Sequence, residues 1–396
     1  MRRNCSSVSL RPPGKARAGP SVVHIASGDL WAGAEVQTFN LLRALSIRTN
    51  IRCAAVLLNE GTLADRLRSI DIPVLVLDER AHSFASLLYS TVRFLYNFRP
   101  DIVHTHRTKE NFLGAVAALM TVGTSSIRTV HGGPESALAG PLPSRSLLIS
   151  IADRYIVFPL QQYAVAVSPQ LGTELKVTLP PDKVTVIRNG VDTASVRRAA
   201  SGDCVFDNQG RLGVCFAGRL VPVKRIDVFL EAASILARTA PGRYRFYVVG
   251  DGPLRSALQD KAAAMNLLAD CQFTGFLEDP IPLLSRMSTL VIPSDHEGTP
   301  MVALECLALG VPIVAHAVGG LVPLISRAQQ GQLLPTQSPE LFAHAIAAVA
   351  TSRQIRPGEL ATNLLPADYC IDYCADEYAK LYARVARQTR QDAPKS

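Results

Sequence analysis

Several familiar signatures are missing from this chain of 396 residues, and each absence argues against a class of protein. Eight cysteines stand at positions 5, 53, 204, 215, 271, 306, 370 and 374, none in a CxxC pair, which argues against zinc ribbons and dithiol redox motifs. Most lie inside apolar runs, where a free thiol acts as a small hydrophobe, and a reducing, cytoplasmic compartment is expected. The longest oily stretch, 301–325, is interrupted by Glu305, Gly310-Val311-Pro312, His316 and Gly319-Gly320. It therefore reads as helix, turn and strand rather than a membrane span. The basic N-terminus has no apolar h-region, so no secretory signal is expected. GxGxxG, GxSxG and Asp-x-Asp are absent, so no dinucleotide, nucleophile elbow or divalent metal–diphosphate site is expected. Basic residues are dispersed without interleaved aromatics, which argues against a nucleic-acid partner.

What the chain does have is an apolar fraction of 48%, ample for two cores. Lys and Arg number 41 against 33 Asp and Glu, and the net charge of +8 suits phosphorylated ligands, an anionic lipid surface or nucleic acid without choosing among them. Part of that excess (Arg2, Arg3, Arg11, Lys15, Arg17) sits in residues 1–20, a Pro/Gly/Ser-rich segment that reads as a disordered basic tail. Strands are predicted at 21–26, 53–58, 73–77, 101–105, 126–130, 163–167 and 183–187. Helices are predicted between them, including 34–48, 83–98, 109–121 and one near 144–158. Strands that are apolar throughout belong to parallel sheets covered on both faces, so 21–190 reads as a doubly wound α/β domain. Gly, Asn and Ser gather in a linker over 191–210, and a second βα series occupies 211–366. Its strands are predicted at 212–217, 246–249, 272–274, 290–292 and 312–315, with a helix at 224–238. A last long helix, about 367–387 within a closing segment 367–390, carries several tyrosines near one side.

The chain is organised around 294–310, Ser-Asp-His-Glu-Gly-Thr-Pro-Met-Val-Ala-Leu-Glu-Cys-Leu-Ala-Leu-Gly. Thr299 is placed as N-cap, Pro300 as first helical residue and Gly310 as the stop. Every residue inside this helix is apolar except Glu305, and a carboxylate there is costly unless something hydrogen-bonds it. Backbone N–H groups at Gly298, Thr299, Met301 and Val302 meet the positive end of the helix dipole and form an anion site. Glu305 lies about 6 Å further along the axis, roughly the separation of a diphosphate from its ribose. The alternative, Glu305 paired with a buried Arg or Lys, stays open.

Other strand ends carry polar groups. Phe216-Ala217-Gly218-Arg219 ends one strand, and Arg219 with Lys224 supplies a planar fork and a point charge suited to a diphosphate. A solvated loop with an ordinary first-turn lysine is the alternative. The loop from Gly28 to Gly33 resembles a phosphate-binding turn, and Gly250-Asp251-Gly252-Pro253 is compatible with close passage of a base or ribose. His131 ends a strand, where ligands of such sheets gather. His104 and His106 alternate along another strand and read as structural, lacking a third ligand at metal spacing.

In order and spacing these segments resemble a family-four retaining glycosyltransferase of the GT-B fold. The resemblance rests on Ala32-Gly33-Ala34-Glu35, Asp101-Ile-Val-His104, His131-Gly132, Val186-Ile-Arg-Asn-Gly-Val-Asp192, Gly218-Arg219-Leu220 with Lys224, Val249-Gly-Asp-Gly-Pro253, Thr274-Gly-Phe276, and Glu297 with seven residues before Glu305. It covers about 21–385. It implies two Rossmann-like domains facing a cleft, with the last helix crossing back to the first. It further implies that Arg219 and Lys224 hold the donor diphosphate and that Glu305 binds the ribose. Glu297, with the backbone after it, would hold the transferred sugar, His131 would touch that sugar, and the Gly33 backbone would close over the phosphate. Departures from the pattern are Ala32 and Arg225 for frequent glycines, Arg188 for a frequent proline, and Val322-Pro323 where an acid is usual.

The expected activity is retaining transfer of a hexosyl group from a nucleoside-diphosphate sugar, UDP favoured, to a hydroxyl acceptor, with no metal and no other cofactor. A lipid-linked or cell-envelope glycan intermediate is the expected acceptor. The oily helix 83–98, with Arg93 and Arg99, and the oily segment 145–160 would rest on an anionic membrane at its inner face. Core helices of the first domain are the alternative. A nucleotide-sugar epimerase of similar fold and a catalytically silent partner subunit are the rival functions.

Overall fold

A computed structural model describes residues 19–29, 31–132, 148–149, 151–352 and 361–392. The expected basic tail, save its last two residues, and the start of the helix near 144–158 lie outside the described residues.

Two parallel sheets form because most of their strands are largely apolar and are buried on both faces. The first holds β1 (Ser21–Ala26), β2 (Arg52–Leu57), β3 (Val74–Val76), β4 (Ile102–Thr105), β5 (Ser125–Val130), β6 (Tyr163–Ala166) and β7 (Val184–Val186). Its order is β3-β2-β1-β4-β5-β6-β7. The second holds β8 (Leu212–Ala217), β9 (Tyr244–Val249), β10 (Cys271–Gly275), β11 (Thr289–Ile292), β12 (Ile313–His316) and β13 (Gly331–Leu334), in the order β10-β9-β8-β11-β12-β13. All six residues of β1 and all four of β11 are buried, and helices supply the covering faces. Strand order reverses beside β1 and β4 in one sheet and beside β8 and β11 in the other. Crevices open at such points, outside the carboxyl ends of the strands.

The final helix, Ile371–Asp392, buries Cys374, Ala375, Tyr378, Leu381, Tyr382 and Val385 in the core of the first sheet. It packs on the helix Gly33–Arg48, where Arg48 and Asp372 pair at 2.7 Å, and Arg390 reaches Asp101 at 3.1 Å. The chain thus returns to its first domain, as expected.

Some boundaries differ from the sequence reading. The segment read as linker contains a helix, Thr193–Ala199, whose start is capped by Asp192 accepting from the Ser195 N–H. Pro222–Lys224 forms a separate 3-10 turn, and the helix begins only at Ile226 because Arg225 adopts left-handed backbone at φ 49°. Lys224 is therefore not a first-turn residue. β13 was not anticipated, since Gln332 and Gly331 interrupt its apolar pattern. Residues 367–369 form a 3-10 turn behind Pro366, and the last helix starts at Ile371.

Candidate active site

Strand-end segments singled out above meet one another: Gly298 abuts His131, Gly33 lies over Met301, Gly250 sits against Gly218, and Lys224 reaches Glu297. β11 leads into the turn containing Glu297, after which the helix Met301–Ala308 begins. Thr299 is not the N-cap: the cap is Pro300 in extended backbone, with no side-chain bond. The Thr299 hydroxyl instead donates to the Val167 carbonyl of the other domain at 2.9 Å, and Asn189 Nδ2 donates to the Thr299 carbonyl at 2.9 Å. Gly310, at φ 71°, ends the helix as expected, with Val311 N–H bonded back to Cys306. The N–H groups of Gly298, Thr299, Met301 and Val302 donate to no acceptor among the described residues. Four unpaired donors at the positive end of a helix are a ready anion cradle.

Cations stand beside it. Lys224 Nζ lies 2.7 and 2.9 Å from the two carboxylate oxygens of Glu297, and Ser294 Oγ donates to the first of them at 2.7 Å. Only 7% of the Glu297 side chain is exposed, so its oxygens are largely committed to these partners. An ammonium has three donors, and two suffice for Glu297, which leaves one for a phosphate oxygen. Arg219 is exposed at the end of β8, after Gly218. Arg225 pairs with Asp227 at 3.0 Å and Asp295 at 3.5 Å, tying the Lys224 turn to the β11 loop.

Glu305 is half-buried, on the helix whose Met301, Leu304 and Cys306 enter the core of the second domain. No basic partner or hydrogen-bond donor meets its carboxyl among the described residues. Burial, with the Asp279 carboxylate adding to it, pushes its pKa up to about 7. The buried ion pair left open by the sequence is therefore not formed. Glu278, beside Asp279, lies 3.8 Å from Arg66 of the first domain.

The first domain closes the site. A side chain at Gly298 would strike the His131 carbonyl at 2.0 Å, so the two loops need glycine to meet. Gly33 lies over Met301, whose Cγ would stand 3.7 Å from a Cβ there. Gly250, at φ 124°, sits against Gly218 so closely that a Cβ would meet the Gly218 oxygen at 2.0 Å. Gly250 thus shapes the β8 turn. Arg107 pairs with Glu35 at 2.5 Å behind this loop.

His131 is half-buried, and its Nε2 lies 3.0 Å from His106 Nδ1. Burial and the nearby Arg107 charge lower its pKa to about 4. The third imidazole that sequence spacing did not supply is His24. It faces His104 across the β1–β4 register, and the nitrogens of His24, His104 and His106 lie within 4.8 Å of one another. One histidine in an apolar strand carries little signal of its own. Only the pairing of strands 80 residues apart brings the three together.

Two family models match the chain: "Glycosyltransferase Family 4" over residues 31–195 and "Glycosyl transferases group 1" over 211–352. A UDP-Gal:alpha-D-GlcNAc-diphosphoundecaprenol alpha-1,3-galactosyltransferase of Escherichia coli is 26% identical over 348 residues, covering 84% of this chain and 88% of that protein. A D-inositol 3-phosphate glycosyltransferase of Saccharomonospora viridis is 34% identical over 189 residues, 44% of either chain, so this match spans less than half of that relative's length. Among solved structures, Anabaena Alr3699/HepE in complex with UDP and glucose superposes with a TM-score of 0.71 at 17% identity, over 92% of this chain and 100% of that one. A glycosyltransferase from Rickettsia africae gives the same TM-score at 18% identity, over 93% and 99%. The two facing sheets and the returning helix are the GT-B fold. Matched in both halves, in order and with that architecture, the chain belongs to glycosyltransferase family 4.

Proposed function

We propose that the protein transfers a hexosyl group from a nucleoside-diphosphate sugar, UDP favoured, to a hydroxyl acceptor with retained anomeric configuration and without a metal. The observation that carries this is the pairing of four unpaired N–H groups at 298–302 with an unpartnered carboxyl at Glu305 on the same helix. The diphosphate spans the N–H cradle, Arg219 and the remaining donor of Lys224, while the ribose hydroxyls donate to Glu305. The Gly33 backbone covers the phosphate, and Gly250 holds the turn that presents Arg219. Fixed cations and dipoles aimed at the departing diphosphate stabilise the charge that develops there. The departing oxygen takes the acceptor's proton on the same face. Glu297, locked by Lys224 and Ser294, sets the loop that receives the sugar, and His131 stands at its edge. UDP is supported by the names of the E. coli relative and the Anabaena complex.

A lipid-linked acceptor is supported by surface chemistry. Tyr89 and Tyr96 on the helix Phe84–Phe98, and Tyr155 and Ile156 nearby, are about two-thirds exposed. Both segments pack on the helix Thr108–Leu119, with Arg93, Arg99 and Arg154 exposed among them. Such a face suits the interface of an anionic membrane at the cytoplasmic side. No helix among the described residues is long and apolar enough to cross a membrane.

A panel of labelled nucleotide sugars, incubated with and without lipid-linked acceptors, tests the proposal. Acceptor-dependent nucleotide release is expected. A new sugar still attached to its nucleotide would indicate an epimerase instead, and neither product would indicate a silent subunit.

A further inference from the structure

Behind His131 the structure holds an unbroken run of buried polar contacts that the proposed sugar transfer does not use. His131 Nε2 lies 3.0 Å from His106 Nδ1, and His106 Nε2 lies 3.0 Å from His24 Nδ1. His24 Nε2 lies 3.2 Å from the Tyr382 hydroxyl, which lies 2.7 Å from His104 Nδ1. His104 Nε2 lies 2.7 Å from the Thr129 hydroxyl, which lies 2.8 Å from that of Tyr378. The run thus begins on the final helix, passes through β1, β4 and β5, and ends at the cleft.

Counting hydrogens gives this run a direction. The Tyr378 hydroxyl is buried and, among the described residues, touches no acceptor but Thr129 Oγ1, so its hydrogen goes there, because a buried unpaired O–H is costly. Thr129 must then donate to His104 Nε2, which leaves His104 protonated on Nδ1 and donating to Tyr382. Tyr382 donates to His24 Nε2, His24 Nδ1–H to His106 Nε2, and His106 Nδ1–H to His131 Nε2. Every hydrogen is used once. The reverse sense leaves the Tyr378 hydrogen without an acceptor. The count requires neutral imidazoles, and burial keeps them so: His24 is lowered to about 3 and His131 to about 4, and His104 and His106 are lowered as well.

We propose that this chain fixes His131 as its Nδ1–H tautomer, with Tyr378, Thr129 and Tyr382 as positioning residues that hold a hydrogen-bond donor toward the cleft. The functional part of this inference rests on the sugar-transfer reading, in which an oxygen of the donor sugar receives that hydrogen bond. A tautomer set by the partner of the other ring nitrogen is a general device of histidine sites. The same lone pairs cannot also hold a cation, so the His24, His104 and His106 cluster is a hydrogen-bonded link and not a metal centre.

Long-range proton–nitrogen NMR of protein labelled with 15N-histidine, assigned through the variant His131→Gln, tests the chain without reference to activity. At pH 7.5 the His131 spectrum should show Nδ1 protonated and Nε2 bare. In Tyr378→Phe combined with Thr129→Val, which removes both hydroxyls beyond His104, both His131 tautomers should appear. Tyr378→Phe alone and Thr129→Ser each leave a hydroxyl donating to His104 Nε2 and should retain the single form. The opposite tautomer in the wild type, or an unchanged spectrum in the Tyr378→Phe/Thr129→Val double variant, would overturn the chain. So would stoichiometric uptake of zinc with loss of the exchange-protected imidazole protons. Turnover reads the second half: as the competent tautomer falls to about half, kcat in the double variant should fall at least about twofold with donor KM unchanged. An altered spectrum with unaltered kcat would remove His131 from the chemistry while leaving nucleotide binding, measured by titration, as a separate result.

Discussion

The Lys224 ammonium and the Glu297 carboxylate meet through two contacts of 2.7 and 2.9 Å, joining the turn after β8 to the turn after β11. The cation expected to hold a diphosphate and the acid expected to hold a sugar are thus each other's partners. The pair makes one unit of what the sequence offers as two ligands.

Removing Lys224 leaves a nearly buried carboxylate with only the Ser294 hydroxyl. Lys224→Met should lower stability by about 3 kcal/mol and reduce turnover by more than about 100-fold, roughly the loss on removing one transition-state donor. A double-mutant cycle with Glu297→Gln, read by urea denaturation, should give a coupling of about 1–3 kcal/mol. Additive effects would show that the two turns are held independently.

Glu305 gives a pH signature. Its pKa is raised from 4.5 to about 7, so the folded chain binds a proton there that the unfolded chain has released, and stability falls as pH rises from 4.5 to 7. Glu305→Gln removes that penalty. The variant should be more stable than the wild type at pH 8, by at most about 3 kcal/mol, with the difference vanishing near pH 4.5. Thermal melts of both proteins across that range test it, and a difference independent of pH would contradict the unpartnered carboxyl.

How much of this was legible beforehand depends on what carries the signal. Glu305 stands out because one acid interrupts an apolar helix, a local pattern, and the parallel sheets stand out because most of their strands are runs of apolar residues rather than alternating ones. The Lys224–Glu297 bond was not legible, since it depends on two loops 73 residues apart meeting across the β8–β11 switch. Local capping rules place Thr299 at the helix start, but its hydroxyl is taken by Val167 of the other domain, a competitor that those rules do not see. His24 went unnoticed because strand register alone brings it to His104.

Arg225 stands in left-handed backbone, where glycine is usual in the family pattern and a side chain costs about 1 kcal/mol. Its contacts with Asp227 and Asp295 offset that cost. Arg225→Gly should therefore change stability by less than about 1 kcal/mol, because relief of strain and loss of partly exposed ion pairs oppose each other. Urea denaturation at low and high salt checks this, with the variant gaining relative to wild type as salt screens the pairs. A large loss insensitive to salt would contradict it.

The oily face of the first domain makes a binding prediction. Tyr89→Ser combined with Tyr96→Ser should weaken sedimentation with phosphatidylglycerol vesicles at least about fivefold, leaving the thermal melt unchanged because both rings are exposed. Equal binding by the double variant would remove this face from membrane contact.

Calorimetric titration of UDP into the wild type and Glu305→Ala, each with a matching thermal melt, tests the central assignment most directly. Loss of a carboxylate that accepts two ribose hydroxyls should weaken UDP by at least about tenfold while the variant stays folded. Equal affinity in the two proteins would contradict a nucleotide sugar lying along the Met301 helix.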